Sequence, residues 1–397
     1  MTKNKTITYV IGTTNIGGAE MHLLRICRGL VTRGWTINLY SLSEPGKLSD
    51  DFEKAGVSVQ HALSVPFTGL MRKPFRLLSM FIQVLRLFCH FLFQRPNITH
   101  FFLPAAYLVG GPLSVLAANP IRLMSRRSLN IYQQRRPFFA KIEKKLHSYM
   151  HGILGNSKAV IENLNNDEYV SESKLGLIYN GIEIEPFALQ VDQKSIRQSI
   201  GLKESDLVFI LVANLIPYKG HMDLINALDL IEKDLPENWQ VICAGYDNGY
   251  RKHLVQRLQE LKLEHKVHFL GQRTDIGDLL KSSDIGLLCS HEEGFSNAVL
   301  EAMASGLPMV VTNVGGNPDV VENNKNGYIV PAKNPAELAQ ALLRISKDSN
   351  KMKEMGLRGQ ELIKEKFSIE TCVAQYEELY QSMLNNKSLP ESIKTPS

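Results

Sequence analysis

Two carboxylates, Glu293 and Glu301, punctuate the most chemically informative stretch of the chain, CSHEEGFSNAVLEAMASGLPMVVTNVGGNPDVV (289–321). A strand is expected to end at Ser290, Glu293-Gly294-Phe295 to form a loop, and Ser296 to cap a helix running to Ala304. Glu293 then precedes the helix and Glu301 lies one to two turns into it. This layout would aim the first backbone N–H groups, those of Ser296, Asn297 and Ala298, at an anion, and the helix dipole would favour its charge. Carboxylates on either side can hold hydroxyls, so a diphosphate between two sugars would fit. A solvated helix position for Glu301 and a plain loop charge for Glu293 fit the same spacing.

A second candidate is ANLIPYKGH (213–221), where Lys219 falls in a strand-to-helix turn beside Gly220. A lysine there neutralises a phosphate as a point charge, although turn lysines are commonly only solvated. The loop GTTNIGGAE (12–20) also joins a strand to a helix. Its Gly17-Gly18 pair would let the backbone approach a phosphate, or form a tight turn and nothing more. It is not GxGxxG, and no GxxxxGK[ST], HExxH, GxSxG or kinase motif set is present. Those absences disfavour the corresponding nucleotidase, protease and kinase classes.

The elements that must position these residues read as two successive α/β units. ITYVIG near the start, a glycine turn, an apolar-periodic stretch through Leu23, Ile26, Cys27 and Leu30, and then WTINLYSL make a strand–helix–strand unit. After the midpoint, LVFILVA (207–213), WQVICAG (239–245), VHFLG (267–271), IGLLCS (285–290) and PMVVT (308–312) are short apolar runs separated by helical patterns. Such runs predict parallel strands covered on both faces. The join falls near IYNGIEIEPF (178–187), with a turn at Asn180-Gly181. The domains are therefore expected at 1–185 and 186–367, with a disordered, proline-containing polar tail at 386–397.

The 397 residues are too many for one ordinary core and suit two domains. Five scattered cysteines, none in CxxC, fit a reducing compartment and exclude a disulfide scaffold. The start has no signal-peptide pattern, and no charge-free run of about 18 apolar residues predicts a spanning helix. A cytoplasmic protein is expected. The net charge of +5 hides an asymmetry: 22 Lys and Arg against 12 Asp and Glu up to residue 190, and 23 against 28 beyond it. The basic half points to an anionic partner, and without a nucleic-acid-binding motif a membrane surface fits better than nucleic acid.

Segment 70–95, LMRKPFRLLSMFIQVLRLFCHFLFQR, carries Arg72, Lys73, Arg76, Arg86 and Arg95 among apolar residues and has no acid. It suits a helix lying peripherally on the inner face of an anionic membrane. A core helix with snorkelling arginines suits it equally.

GGAE after the first strand, VANLIPYKGH, EGFSNAVLE, GLPMVVTNVGGNPDVV and NGYIVP (326–331), in that order, resemble the retaining nucleotide-sugar glycosyltransferases of family 4 over roughly residues 6–385. The resemblance implies a GT-B fold, with two Rossmann-like, doubly wound domains facing each other across a cleft. The first would bind the acceptor and the second the donor, and a helix at about 368–385 would return to the first domain. It implies that Glu293 contacts the donor sugar and Glu301 the ribose, with Lys219 and the amides of Ser296, Asn297 and Ala298 on the diphosphate. Gly17 and Gly18 would close over the phosphate or sugar, and Gln272 and Arg273 would meet the base. It further implies no metal and no other cofactor, because a lysine and a helix N-terminus neutralise the leaving group.

Two departures accompany the resemblance. The family's usual arginine five residues before the lysine is Asn214, and its N-domain histidine is replaced by Arg127 in LMSRRSLN (123–130). Arg126 or Arg127 is the candidate compensating cation. His100, in ITHFF, reads as a packed histidine sooner than a catalytic one. The function implied is transfer of a hexosyl or N-acetylhexosaminyl group, from a UDP-sugar in preference to a GDP-sugar. The acceptor would be a saccharide or polyprenyl-linked saccharide in cell-surface polysaccharide assembly. A sugar-nucleotide epimerase on the same fold, and a non-catalytic saccharide- or membrane-binding protein, are the alternatives.

Overall fold

The computed structural model describes residues 5–64, 72–134 and 136–394. The chain divides into two compact units, Met1–Gly181 with Ile369–Ser397, and Ile182–Ser368. The division lies inside the turn at 178–187, ahead of the boundary expected at 185.

The first unit is built on a parallel sheet of seven strands in the order β3-β2-β1-β4-β5-β6-β7. The strands are β1 Thr6–Ile11, β2 Thr36–Ser41, β3 Ser58–Gln60, β4 Ile98–Phe102, β5 Arg122–Arg126, β6 Gly152–Gly155 and β7 Leu175–Leu177. Strand side chains alternate faces, so Ile7, Tyr9 and Ile11 enter one core while Val10 enters the other. Both faces are covered, so β4 is buried throughout and β1 after its first residue, although Thr8, Thr99 and His100 interrupt their apolar sequences.

The Ile369–Asn386 helix belongs to this unit although it comes last in the chain. It packs on the Gly18–Thr32 helix, where Gly29 leaves the space that the Val373 methyls fill. Its Tyr380 hydroxyl bonds the hydroxyl of Tyr9 at 2.7 Å and Nδ1 of His100 at 2.8 Å. Nε2 of His100 reaches Ser125 Oγ at 2.9 Å. His100 is thus a packed, satisfied histidine; burial, aided by the Arg127 charge, pushes its pKa down to about 3.

The tail corrects an expectation. Residues 386–394 are not disordered: a 3₁₀ turn forms at Glu391–Ile393, and Leu389 and Ile393 are buried in the first unit's core. They pack over Gly152 and Gly176, whose missing side chains make room for them. Residues 395–397 lie outside the described residues.

Arg126 is a second correction. It ends β5 wholly buried, donating to Glu168 (2.9 Å to each oxygen) and to Glu143 at 2.6 Å, while His147 Nε2 meets Glu168 at 2.8 Å. A guanidinium so enclosed is a structural counter-ion, not a spare cation for a ligand. Its neighbour Arg127 is held too, donating to Asn180 Oδ1 at 2.6 Å with its charge facing Glu20. Arg135, of the basic pair Arg135-Arg136, lies outside the described residues.

The basic apolar segment forms the Arg72–Phe93 helix; residues 70 and 71 lie outside the described residues. Its inner stripe is Ser79, Gln83, Leu87 and Phe91, and Gln83 Nε2 donates to the Ser41 carbonyl at 2.9 Å. Its outer side carries exposed Leu77, Leu78, Phe81 and Leu85. The first turns are inside out, with polar side chains buried and large apolar ones facing solvent, so a core helix with snorkelling arginines does not describe them. By length and composition alone, Lys73–Phe93 could cross a membrane, contrary to the expectation that no helix would qualify. Leu87 and Phe91, however, are integral to the unit's core.

The second unit repeats the design with six parallel strands in the order β10-β9-β8-β11-β12-β13. They are β8 Leu207–Val212, β9 Trp239–Ala244, β10 Val267–Gly271, β11 Ile285–Leu288, β12 Met309–Thr312 and β13 Gly327–Val330. The order reverses between β8 and β11, as it does between β1 and β4 in the first unit. Ligands of open α/β sheets bind beyond the strand ends at such a reversal.

Candidate functional site

In the second unit, the loops leaving β8 and β11 flank the reversal and meet. After β8 the chain makes a 3₁₀ turn, Pro217–Lys219, and enters the His221–Ile231 helix through Gly220. Gly220 has φ 73, and a Cβ there would collide with the Cys289 carbonyl. Only glycine lets this turn approach the end of β11. The Tyr218 carbonyl accepts the His291 N–H at 2.7 Å, and His291 Nε2 meets Asp223 Oδ2 at 2.6 Å.

These ties carry Lys219 to Glu293. Nζ stands 2.6 Å from Oε1, which also accepts the Ser290 hydroxyl at 2.7 Å. Both side chains are mostly shielded, at 19% and 11% exposure, so the pair is stronger than a solvated surface bridge. The Tyr218 ring lies 5.5 Å from the ammonium. Next to Lys219, His221 is buried with both ring nitrogens lacking a hydrogen-bond partner, and burial pushes its pKa down to about 4, helped by the Lys219 charge.

Beyond Glu293 the Asn297–Ala304 helix begins with Ser296 at its N-cap, but the serine hydroxyl makes no capping hydrogen bond. The first turn contains no acid, so neither device that usually occupies a helix N-terminus is present. Glu301 follows one turn on. The loop after β12 supports the arrangement from behind: Gly316 N–H donates to the Gly294 carbonyl at 2.9 Å, and Thr312 Oγ1 to that of Ser290 at 2.6 Å. Gly315, at φ 52, lies where a Cβ would strike the Glu293 carbonyl. The structure therefore brings together Lys219, Glu293 and the start of the helix bearing Ser296, Asn297, Ala298 and Glu301.

The remaining expected residues each have local partners of their own. Asn214 Oδ1 accepts the Tyr246 N–H at 3.0 Å, tying the loop after β8 to that after β9. Gln272 and Arg273 follow β10, separated from β8 by β9, and Arg273 Nε and Nη2 hold Asp275 at 2.8 and 2.5 Å. In the first unit, Gly17 is the extended N-cap of the Gly18–Thr32 helix, and the nearly buried Glu20 carboxylate occupies the space a Gly17 side chain would need. Among the described residues, no group of three His, Cys, Asp or Glu side chains is placed to hold a metal ion. Ser290 reads from the sequence only as a strand end, and Asp223 and His291 carry no motif signal; the double glycine 315–316 is a signal, but only as part of a longer motif.

Residues 16–186 match the model of Glycosyltransferase Family 4, and residues 192–362 match that of Glycosyl transferases group 1. The chain belongs to the family 4-type GT-B glycosyltransferases. It is 30% identical over 231 residues to the N-acetyl-alpha-D-glucosaminyl L-malate synthase of Bacillus anthracis, a match covering 57% of this chain and 60% of that one. It is 31% identical over 222 residues to the UDP-Gal:alpha-D-GlcNAc-diphosphoundecaprenol alpha-1,3-galactosyltransferase of Escherichia coli, covering 55% and 57%. These matches span less than two thirds of each relative's length. The GT-B fold extends further: HepE of Anabaena, crystallised with UDP, superposes with a TM-score of 0.82 over 95% of this chain and 100% of that one, at 23% identity.

Proposed function

We propose that this family member transfers a hexosyl or N-acetylhexosaminyl group from a UDP-sugar to a saccharide hydroxyl, with retention at the anomeric carbon. The observation that carries the reading is the Lys219–Glu293 pair at the β8–β11 reversal, beside a helix start that no serine side chain caps. HepE crystallised with UDP and with UDP-glucose supports the choice of nucleotide, as does the UDP-Gal in the name of the Escherichia coli relative.

The diphosphate would lie against the N–H groups of Ser296, Asn297 and Ala298, with Lys219 on its terminal oxygens and Glu301 on the ribose hydroxyls. Glu293 would hold donor sugar hydroxyls. As the bond from the anomeric carbon to the phosphate oxygen breaks, charge accumulates on UDP. Fixed donors that meet that charge favour the transition state over the ground state. The acceptor oxygen bonds the anomeric carbon from the face the phosphate leaves, and its proton passes to the departing phosphate oxygen. Lysine and backbone amides supply the positive charge in this scheme, without a metal.

The outward Leu78, Phe81 and Leu85, with Lys73 and Arg76 on the same helix, support a working position on an anionic membrane at the cytoplasmic side. The deciding experiment is a thermal-shift panel of UDP- and GDP-sugars followed by product analysis. A ligand at about 100 times its Kd should stabilise the protein by roughly 2.7 kcal/mol. Release of an epimerised sugar would favour the epimerase reading, and binding without transfer or hydrolysis would favour the non-catalytic one.

A further inference from the structure

The edge of the first sheet where its strands begin carries a row of basic side chains. Arg122 is the first residue of β5, His151 immediately precedes β6, and Lys174 immediately precedes β7. These strands are parallel neighbours, about 4.8 Å apart, with Leu123 beside Gly152 and Ile153 beside Leu175. The Arg122 N–H donates to His151 Nδ1 at 3.1 Å, and the His151 N–H to the Arg122 carbonyl at 2.9 Å. Lys387, whose charge also acts on His151, joins the row from the end of the Ile369–Asn386 helix. It stands two residues before Leu389, whose side chain packs over Gly152. This edge is opposite the one at which open α/β sheets bind their ligands.

No carboxylate pairs with these cations among the described residues. Arg122 Nε donates to the Tyr149 carbonyl at 2.9 Å, Nη1 to that of Asn119, and Lys174 Nζ to that of Ser148 at 2.8 Å. Ser148 and Tyr149 close the Pro137–His147 helix, whose dipole places about half a negative charge there. That offsets part of one cation and leaves the others uncompensated. Arg122 Nη2 and the Lys387 ammonium make no hydrogen bond or ion pair among the described residues. His151 adds a donor but no charge. Its Nδ1 is occupied as an acceptor, so the ring is neutral with its proton on Nε2. Burial, and then the charges of Arg122, Lys387 and Lys174, push its pKa down to about 4. Like charges gathered in this way repel one another, and an anion seated among them removes the repulsion.

We propose that Arg122, His151, Lys174 and Lys387 form a binding site for a doubly charged phosphoryl group, as in a phosphate monoester. Three cations match that charge better than the single charge of a carboxylate or a phosphodiester. Arg122 Nη2, the two ammonium groups and the His151 Nε2–H supply hydrogen bonds to the phosphoryl oxygens. A group held there joins Lys387 to the sheet and fastens the returning chain beside Leu389. The site is separate from the Lys219–Glu293 pair and does not depend on the transfer reaction proposed above.

The test is titration of the full chain with glycerol 3-phosphate at about pH 8, where its phosphate is doubly charged. Binding is read by calorimetry and by the nitrogen-15 NMR signals of the His151 ring, assigned through His151→Gln. Glycerol 3-phosphate should bind, move those signals and raise Tm. Dimethyl phosphate, a single charge, should bind about tenfold more weakly or less. Lys387→Gln, at an exposed side chain whose loss does not threaten folding, should weaken binding about fivefold, and adding Lys174→Gln about tenfold or more. Lys233→Gln with Lys252→Gln, at exposed lysines of the second unit, removes the same charge and should leave binding unchanged. Lys219→Ala should leave the His151 response intact, which separates this site from the nucleotide site. Vesicles identify the source of the group. Competition by vesicles of phosphatidic acid, but not of phosphatidylglycerol at equal surface charge, supports a lipid headgroup, and binding without that competition supports a soluble phosphate. Unmoved His151 signals, equal binding of dimethyl phosphate, wild-type affinity in Lys174→Gln with Lys387→Gln, or an equal loss in the second-unit pair would each overturn the proposal.

Discussion

Lys219 and Glu293, 74 positions apart in the chain, meet at 2.6 Å across the strand-order reversal of the second unit. The carboxylate neutralises the ammonium. In the binding scheme proposed above, a diphosphate arriving at Lys219 would compete with Glu293, and the carboxylate would become available to sugar hydroxyls as the lysine turned to phosphate.

Glu293→Gln should accordingly tighten binding of UDP, which lacks the sugar, by about three- to tenfold, since a partly shielded pair contributes about 1 kcal/mol. Turnover should fall in the same variant. Calorimetry with UDP and initial rates with the UDP-sugar check the two halves, and weaker UDP binding would contradict the competition.

Lys219→Ala should lower kcat more than it raises KM, because the leaving charge is largest in the transition state. Glu301→Ala should act on the ground state, weakening donor binding by about 1.5–3 kcal/mol, or roughly 10- to 150-fold. Steady-state kinetics separates the two signatures.

Stability should fall on acidification through histidines buried in neutral form. The folded pKa of His221 is near 4, below its ordinary value, so between about pH 6.5 and 4 the unfolded chain takes up a proton that the folded chain refuses. The contribution is fully present above pH 6.5 and is lost as pH falls, at up to about 1.4 kcal/mol per unit. Urea unfolding at pH 7 and pH 5 should give a smaller difference for His221→Leu than for wild type.

Arg126→Met should destabilise the first unit by about 3–5 kcal/mol, because it strands Glu143 and Glu168 without their cation. Burial alone would raise the Glu168 carboxyl, but the His147 hydrogen bond and the Arg126 charge hold it down to about 2. Thermal unfolding should register the loss, and adding Glu143→Gln and Glu168→Gln should restore part of it.

Leu78→Ser with Phe81→Ser should reduce sedimentation with vesicles of anionic lipid while leaving the far-ultraviolet spectrum unchanged, since both side chains are solvent-exposed. Binding should also weaken with salt, as the Debye length shrinks to about 10 Å at 0.1 M.

The strands of the second unit were legible because sheets covered on both faces leave uninterrupted apolar runs. Lys219 and Glu293 were each legible as candidates, but their contact was not, because it depends on Gly220 and Gly315 letting separate loops close on one another. Arg126 and Arg127 looked alike as a basic pair. Adjacent residues at a strand end face opposite sides, and only the fold places Glu143 and Glu168 around one of them. In the tail, two prolines and many polar residues masked Leu389 and Ile393, whose places are made by glycines more than two hundred residues earlier.

The chain leaves the first unit after Gly181 and re-enters it at Ile369, and the two crossings are bonded to one another, the Ile182 N–H donating to the Phe367 carbonyl at 3.0 Å. The second unit is thus an uninterrupted insertion in a unit whose core needs Tyr376, Tyr380, Leu389 and Ile393 from the far end. On the ribosome, the unit begun first is completed last: residues 182–368 emerge whole while the earlier sheet still lacks its covering helix. A stop codon near residue 370 would spare the inserted unit and leave the one translated first unfinished.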